Sequence, residues 1–253
     1  MKAEGKGRPA KRIKFPLELV DYLVRNVNCE VLVLIPTFNE AEGLAPTVLE
    51  VKRFLGESYI LVIDGNSTDG TVHVARSLGL EVIFQDGDGK GDAIAKAIRS
   101  LRGDADPQYV VFIDADYTYP AEHIPQMIKI LDENPDVGMV CGNRFDKPLS
   151  MANVKSAYYI GNRLLAFAHY LVNGIKMRDP LTGLRVVRWD IIRDWQPKSK
   201  GFDVEAELNY HVERKGYKIR EIPIHYRKRL GEKKLKLRHG FTILRRILAE
   251  ALT

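Results

Sequence analysis

The feature that most constrains this chain is an alternation of two patterns. Short β-branched runs at residues 30–36 (EVLVLIP), 59–63, 80–84, 109–113 and 137–141 are separated by stretches of helical periodicity. Strands alternating with helices in this way build βαβ units, whose crossovers are right-handed and whose strands lie parallel. Residues 109–113 (YVVFI) are apolar throughout rather than at every second position, the mark of a strand buried on both faces. The expected fold class is α/β, a Rossmann-like, mostly parallel sheet flanked by helices. Helices are expected through about residue 54, over 71–78 with Ser67 or Thr68 as the cap, over 93–101, and over 121–131.

After Gly142 the alternation fails. Residues 153–172 carry a broad apolar face and predict one long helix, 184–187 a strand, 203–214 a helix, and 217–224 a strand. Pro223 near the end of that last strand suits a sheet edge. Residues 226–239 then bring seven Lys and Arg against the single Glu232, and the tail from Phe241 returns to helical periodicity. The expected organisation is a basic extension with a short helix over 1–28, a catalytic domain over 29–239, and an amphipathic helix over 240–253.

Composition excludes rather than selects. With 45% hydrophobic and 28% charged residues the 253-residue chain is an ordinary globular protein. Two cysteines, Cys29 and Cys141, make neither a disulfide scaffold nor a zinc pattern, which points to a reducing compartment. The basic N-terminus lacks the apolar core of a signal peptide, and no apolar run approaches the roughly 18–20 residues needed to span a bilayer. A net charge of +6 fits nucleic acid, a membrane surface or an anionic substrate alike.

Chemistry is concentrated just beyond the strands. Pro36, Thr37, Phe38, Asn39 and Glu40 follow the first run, Asp64, Gly65 and Asn66 the second, and Asp114, Ala115 and Asp116 the fourth. In an open α/β sheet, ligands bind beyond the carboxyl ends of the strands, so the three clusters would meet along one edge. Asp114 and Asp116 then suit a hard divalent cation bridging phosphate oxygens, or else a polar turn with capping aspartates. Asp64 would accept from a base or a ribose hydroxyl. The acidic, glycine-rich stretch 86–93 is neither a Walker loop nor a dinucleotide fingerprint; it is either a flexible turn opening a helix, or a donor-site wall carrying the Lys90 cation.

Taken in order, LIPTFNEAEGL, VIDGNSTDGT, GKGDAI and FIDADYTYP closely resemble the family 2 glycosyltransferases. Gly142-Asn143-Arg144-Phe145 is similar to the family's G-S-R-F, and Asp179-Pro180-Leu181-Thr182-Gly183-Leu184-Arg185 to its D-P-T-S-G-F-R. YRKRLGEKKL, residues 226–235, resembles the Y-R-x-R-x-G-x-S-K-L element of dolichyl-phosphate mannose and glucose synthases. The resemblance covers residues 30–237. It implies an A-type glycosyltransferase fold and inverting transfer from a nucleoside diphosphate sugar to dolichyl or polyprenyl phosphate, with Mg2+ or Mn2+ as cofactor. Carried over position by position, Pro36, Phe38, Glu40 and Asp64 would contact the nucleoside, and Asp114 and Asp116 would serve metal and donor; Thr37, Asn66, Lys90 and Ala115 complete the expected nucleotide-sugar site. Arg144, Thr182, Arg227, Arg229 and Lys234 would meet acceptor or donor phosphates. Asp116, Arg144, Arg229 and Glu205 are the candidate catalytic residues, although Glu205 reads almost as well as a plain helix-face carboxylate.

Two departures bear on the donor. Where the mannose synthases continue D-A-D-L-Q-H-P, with the Gln helping to bind metal, this chain has Thr118, and Lys233 replaces the serine of S-K-L. Both tilt the expectation from GDP-mannose toward UDP-glucose or UDP-N-acetylglucosamine. Family enzymes often carry membrane spans after the catalytic domain. The expectation here is a peripheral protein on the cytoplasmic face of the membrane, anchored by the amphipathic tail, by a partner, or by a span lying beyond residue 253. The rival readings are transfer to a glycan hydroxyl, which needs a general base, and a basic module binding nucleic acid or anionic lipid. Nucleic acid is disfavoured because no aromatics are interleaved with the basic run after Tyr226.

Overall fold

The computed structural model describes residues 30–56, 58–101, 106–145 and 157–252. The expected basic extension and short helix before residue 29, and the first turn of the helix expected from 153, lie outside those residues.

Seven strands form one sheet in the order β3-β2-β1-β4-β6-β5-β7. They are β1 Val31–Thr37, β2 Tyr59–Asp64, β3 Glu81–Phe84, β4 Tyr109–Phe112, β5 Val137–Asn143, β6 Arg185–Arg188 and β7 Lys218–Pro223. The first four are parallel to one another; β6 runs antiparallel between β4 and β5. Helices α1 Ala41–Leu55, α2 Thr71–Ser77, α3 Lys90–Leu101 and α4 Ile124–Glu133 supply the crossovers of the front half. The back half contributes α5 Ala157–Asn173, the short α6 Trp189–Ile192, α7 Val204–Arg214 and α8 His239–Glu250.

The continuous apolar runs have the cause expected of them. Side chains alternate across the pleat, so Leu32, Leu34, Val110 and Phe112 enter a core layer with α3, α6 and α7. Val33, Ile35, Val111 and Ile113 enter the opposite layer with α1 and α4. Both faces being buried, neither set is free to be polar.

Details differ from expectation where tertiary contacts intervene. The 71–78 helix is not capped by Ser67 or Thr68: its cap position is Gly70, and Asp69 accepts from the Thr71 amide at 3.0 Å. Asp69 also accepts from the Ala41 amide at 3.0 Å, so one carboxylate caps two helix starts. Helix α3 opens at Lys90 rather than residue 93, and a 3-10 turn, Ala121–His123, precedes α4. The strand foreseen at 217–224 is β7, on the sheet edge as Pro223 implied.

Helices α5 and α8 pack on each other and on α7 through Leu165, Ile243 and Ile247 with Ala206. Their outer faces leave Ile160, Leu164, Phe167, Leu171, Phe241 and Leu248 exposed. Among the described residues no helix is long and apolar enough to cross a membrane.

Candidate active site

Because β2, β1 and β4 are adjacent and parallel, the three polar clusters that follow them meet at one edge of the sheet. They open into a cleft of about 1790 Å3 closed on its far side by residues 223–235 and by α5, α7 and α8.

The β1 and β2 ends are cross-tied before any ligand is considered. Asp64 is fully buried, accepts from the Thr37 hydroxyl at 3.1 Å, and binds Ser67 through its amide at 2.8 Å and its hydroxyl at 2.6 Å. Asn39, in the left-handed region at φ 52°, donates its amide to the Ser67 hydroxyl and accepts from the Thr68 amide, both at 2.8 Å. These bonds hold Phe38 out with 51% of its surface exposed, a ring face on the cleft wall.

Below Phe38, four carboxylates share two cations. Lys90 Nζ lies 2.6 Å from Asp114 Oδ1 and 2.7 Å from Glu205 Oε1. Burial opposes the charge on Lys90, but these two carboxylates hold its pKa above the ordinary lysine value. Arg229 bridges the second pair, donating Nη1 to Asp116 Oδ2 and Nη2 to Glu40 Oε1. Burial raises the Glu40 carboxyl to about 7, although Arg229 pulls the other way. Burial and then the Asp114 charge push Asp116 upward as well. Asp116 Oδ1 is held by the Thr118 amide at 3.1 Å and hydroxyl at 2.5 Å, while Glu40 Oε2 and Glu205 Oε2 are buried without hydrogen-bond partners among the described residues.

Close packing sets the position of these groups. The Gly91 amide donates to the Lys200 carbonyl at 2.8 Å, and a Cβ on Gly91 would come within 2.1 Å of the Ser199 carbonyl oxygen. The glycine-rich stretch is therefore a contact surface that brings Lys90 inward, where the sequence left a flexible turn open. Gly183 donates its amide to the buried Tyr119 hydroxyl at 2.7 Å and lies against Asp114.

The segment after β7 straps the cleft. Arg227 donates its amide to the Thr118 carbonyl and Leu230 its amide to the Asp116 carbonyl, at 3.0 and 3.1 Å. The Arg227 guanidinium forks onto Glu50 and stacks 4.4 Å from the centre of the Tyr117 ring. Further along, Lys233 sits over the Tyr158 ring, its pKa lowered by burial and by the nearby charges of Arg144 and Arg229. Arg144 itself forks onto the fully buried Asp179, with Nε and Nη2 each at 2.7 Å. Asp179 is oriented in turn by Glu221, which accepts its amide at 2.7 Å.

Pro36, Thr37, Phe38, Glu40, Lys90, Asp114, Ala115, Asp116, Arg144, Glu205, Arg227, Arg229 and Lys234 all line the cleft. Three expected residues do not. Asp64 is spent on tying the two strand ends together, Asn66 is a left-handed turn residue off the wall, and Thr182 is fully buried. The carbonyl of Thr182 accepts from Arg185, and it is Leu181 that faces the cleft. Sequence reasoning passed over Tyr119, Asp179, Glu50 and Glu221. Tyr119 and Asp179 stood within recognised motifs, FIDADYTYP and the segment from Asp179, and were the legible signals; Glu50 and Glu221 gain their roles only from contacts distant in the chain.

A profile of the family described as Glycosyl transferase family 2 matches residues 32–195. Glycosyltransferase AglJ of Haloferax volcanii is 34% identical over 198 residues, 78% of this chain and 62% of that protein, so the chain spans under two thirds of that relative's length. The same organism's dolichyl-phosphate hexose transferase is 31% identical over 81% of this chain and 86% of its own length. Among solved structures, Mycobacterium tuberculosis glucosyl-3-phosphoglycerate synthase in complex with Mn2+, UDP-glucose and phosphoglyceric acid superposes with a TM-score of 0.68. Its identity is 17%, covering 97% of this chain and 85% of that one.

Proposed function

The chain belongs to the family 2 glycosyltransferases and has the A-type glycosyltransferase fold, and from this premise we propose that it moves a hexose from a nucleoside diphosphate sugar to a polyprenyl or dolichyl phosphate. The observation that carries the proposal is the meeting, in one cleft, of the strand-end carboxylates with a cationic strap from the far end of the chain. The name of the dolichyl-phosphate hexose transferase relative supports the acceptor class.

The donor's base would lie against Phe38 beside Gly65, with its diphosphate running toward Asp114 and Asp116. The carboxylates on the floor of the cleft outnumber the two cations Lys90 and Arg229 that pair with them, and the hard oxygens of Asp114 and Asp116 suit a divalent cation. Asp114 and Asp116 would hold it, and when bound it would neutralise charge growing on the leaving diphosphate. The bound Mn2+ of the superposed synthase supports this reading, and the choice between Mn2+ and Mg2+ belongs to the assay.

An acceptor phosphate is already ionised near neutral pH and needs no general base. What it needs is placement in line with the departing diphosphate, and compensation for its charge. Arg229, Lys233 and Lys234 supply that charge on the cleft wall, and in-line attack at the anomeric carbon inverts its configuration. Arg144 and Arg227, already matched to Asp179 and Glu50, would add to the field rather than carry the phosphate alone. Glu205 Oε2, buried and unpartnered among the described residues, would accept from a sugar hydroxyl. Thr118, fully buried and committed to Asp116 Oδ1, offers the cation no ligand in place of the family's Gln. That departure keeps UDP-glucose or UDP-N-acetylglucosamine ahead of GDP-mannose.

The exposed apolar faces of α5 and α8, next to Arg163 and Arg245, would lie in the membrane interface and bring the cleft to the lipid phosphate. Residues 29–239 would then act as one catalytic unit, with 240–253 as its interfacial helix, at the cytoplasmic face. Incubation with each of the three nucleotide sugars, a short-chain polyprenyl phosphate and Mn2+ or Mg2+, followed by mass spectrometry of the lipid fraction, tests the proposal. A hexosyl-phosphoprenol product is expected from one donor. Transfer to glycan hydroxyls with none to any polyprenyl phosphate would overturn it.

A further inference from the structure

Arg229 stands on the oxygen that a cation would need. Thr118 occupies Asp116 Oδ1 through two hydrogen bonds, which leaves Oδ2 as the outward oxygen, and Arg229 Nη1 is donated to it. The backbone on either side of Arg229 is fixed independently, because the Arg227 and Leu230 amides bond the Thr118 and Asp116 carbonyls. Its guanidinium is therefore delivered by a pinned strap and can leave while the strap stays. The contact is also incomplete, since Arg229 Nε and Glu40 Oε2 are both buried with no hydrogen-bond partner among the described residues. Buried polar atoms left unpaired weaken an arrangement that otherwise has two charge-assisted hydrogen bonds.

We propose that Arg229 is the resident counter-ion of the cation site. Its guanidinium bridges Asp116 and Glu40 while no divalent cation is bound, and yields Asp116 Oδ2 when one binds. The freed guanidinium then faces the cleft, where the acceptor phosphate enters. This deepens the transferase reading and rests on it: the same residue would guard the empty donor site and clamp the acceptor once donor and cation are in place, which orders donor before acceptor.

The first half is testable without any acceptor. Free Mn2+ is followed by electron paramagnetic resonance during titration of the full chain with UDP present, for the native protein and for Arg229→Ala, Arg229→Gln and Arg229→Lys. Removing the competitor should tighten Mn2+ binding about tenfold in the Ala and Gln variants, the scale of one charge-assisted hydrogen bond released, while Lys should restore much of the native weakness. Should the Ala protein fail to fold by circular dichroism, the Gln variant decides. Equal or weaker Mn2+ binding in a folded neutral variant overturns the counter-ion role. The second half is read from short-chain polyprenyl phosphate affinity in the native protein, which should rise when Mn2+ and UDP are present; an unchanged affinity overturns the hand-over. Since the Mn2+ arm contains no lipid, its failure leaves the transferase proposal standing, and failure of lipid transfer leaves the Mn2+ result intact.

Discussion

Gly183→Ala is the sharpest probe of the carboxylate floor. A Cβ at this position would fall 2.2 Å from Asp114 Oδ2 and 2.6 Å from its Cγ, whereas ordinary van der Waals contact begins at 3.4 Å. The carboxylate must therefore move by about 1 Å, since the Gly183 N–H is held by its hydrogen bond to the Tyr119 hydroxyl. Asp114 cannot move so far and keep Lys90 at 2.6 Å, so the Lys90 link between Asp114 and Glu205 opens as well. Misplacement of a reacting constellation by about 1 Å costs on the order of 100-fold in rate, and the lost charge-assisted bond about 1.5–3 kcal/mol locally. The expected result is a folded protein with kcat/KM down about 100-fold and weaker cation dependence, measured by initial rates of transfer across a Mn2+ titration. Activity within a few-fold of native would refute the placement of Asp114 and the reason for a glycine at this position.

Three further outcomes follow from other contacts. Asp179→Asn removes the charge from the buried end of a pair whose Arg144 side chain keeps 16% of its surface exposed, and should cost roughly 1–3 kcal/mol in denaturant unfolding; a change under 0.5 kcal/mol, on the order of a neutral surface substitution, would show that Arg144 finds other compensation. The Glu40 carboxyl sits at about 7 in the fold against 4.5 in a free chain, so the folded state holds the extra proton between those values, and native stability contributed there falls as pH rises from 4.5 through 7. Melting curves of the native protein and Glu40→Gln should accordingly diverge across that window, the native protein losing ground as pH rises; parallel curves would remove the buried-carboxyl assignment. Arg246→Ala leaves Asp203, Glu207 and Glu250 facing one another at the base of α8. Proteolysis should then release α8 faster, and unchanged cleavage would mean that the apolar contacts of Ile243 and Ile247 hold the helix unaided.

Much of the front half was legible because its causes are local. A strand buried on both faces has to be apolar at every position, and residues 109–113 say so without help from the rest of the chain. Parallel pairing follows from the helices between the strands, and parallel pairing alone puts three polar clusters on one edge. The back half was less legible because β6 is antiparallel and inserted between β4 and β5, a choice made by packing. The buried Arg185 shows the same limit: its guanidinium ties the Pro180 and Thr182 carbonyls to Asn209, a role invisible in a lone arginine.

By itself, then, the amino-acid sequence determined the parallel front of the sheet, the edge at which chemistry gathers, and the kinds of group that gather there, since hydrophobic period and turn chemistry act over a few residues. Only the tertiary structure decided which charges meet. Arg229 reaches Glu40 across 189 positions and Asp116 across 113, and Glu205 shares Lys90 with Asp114. The same packing encloses Asp64, hydrogen-bonded to Thr37 and Ser67, and buries Thr182 behind the cleft wall. Electrostatic partners are chosen by distance through space and by burial, and neither quantity is written along the chain.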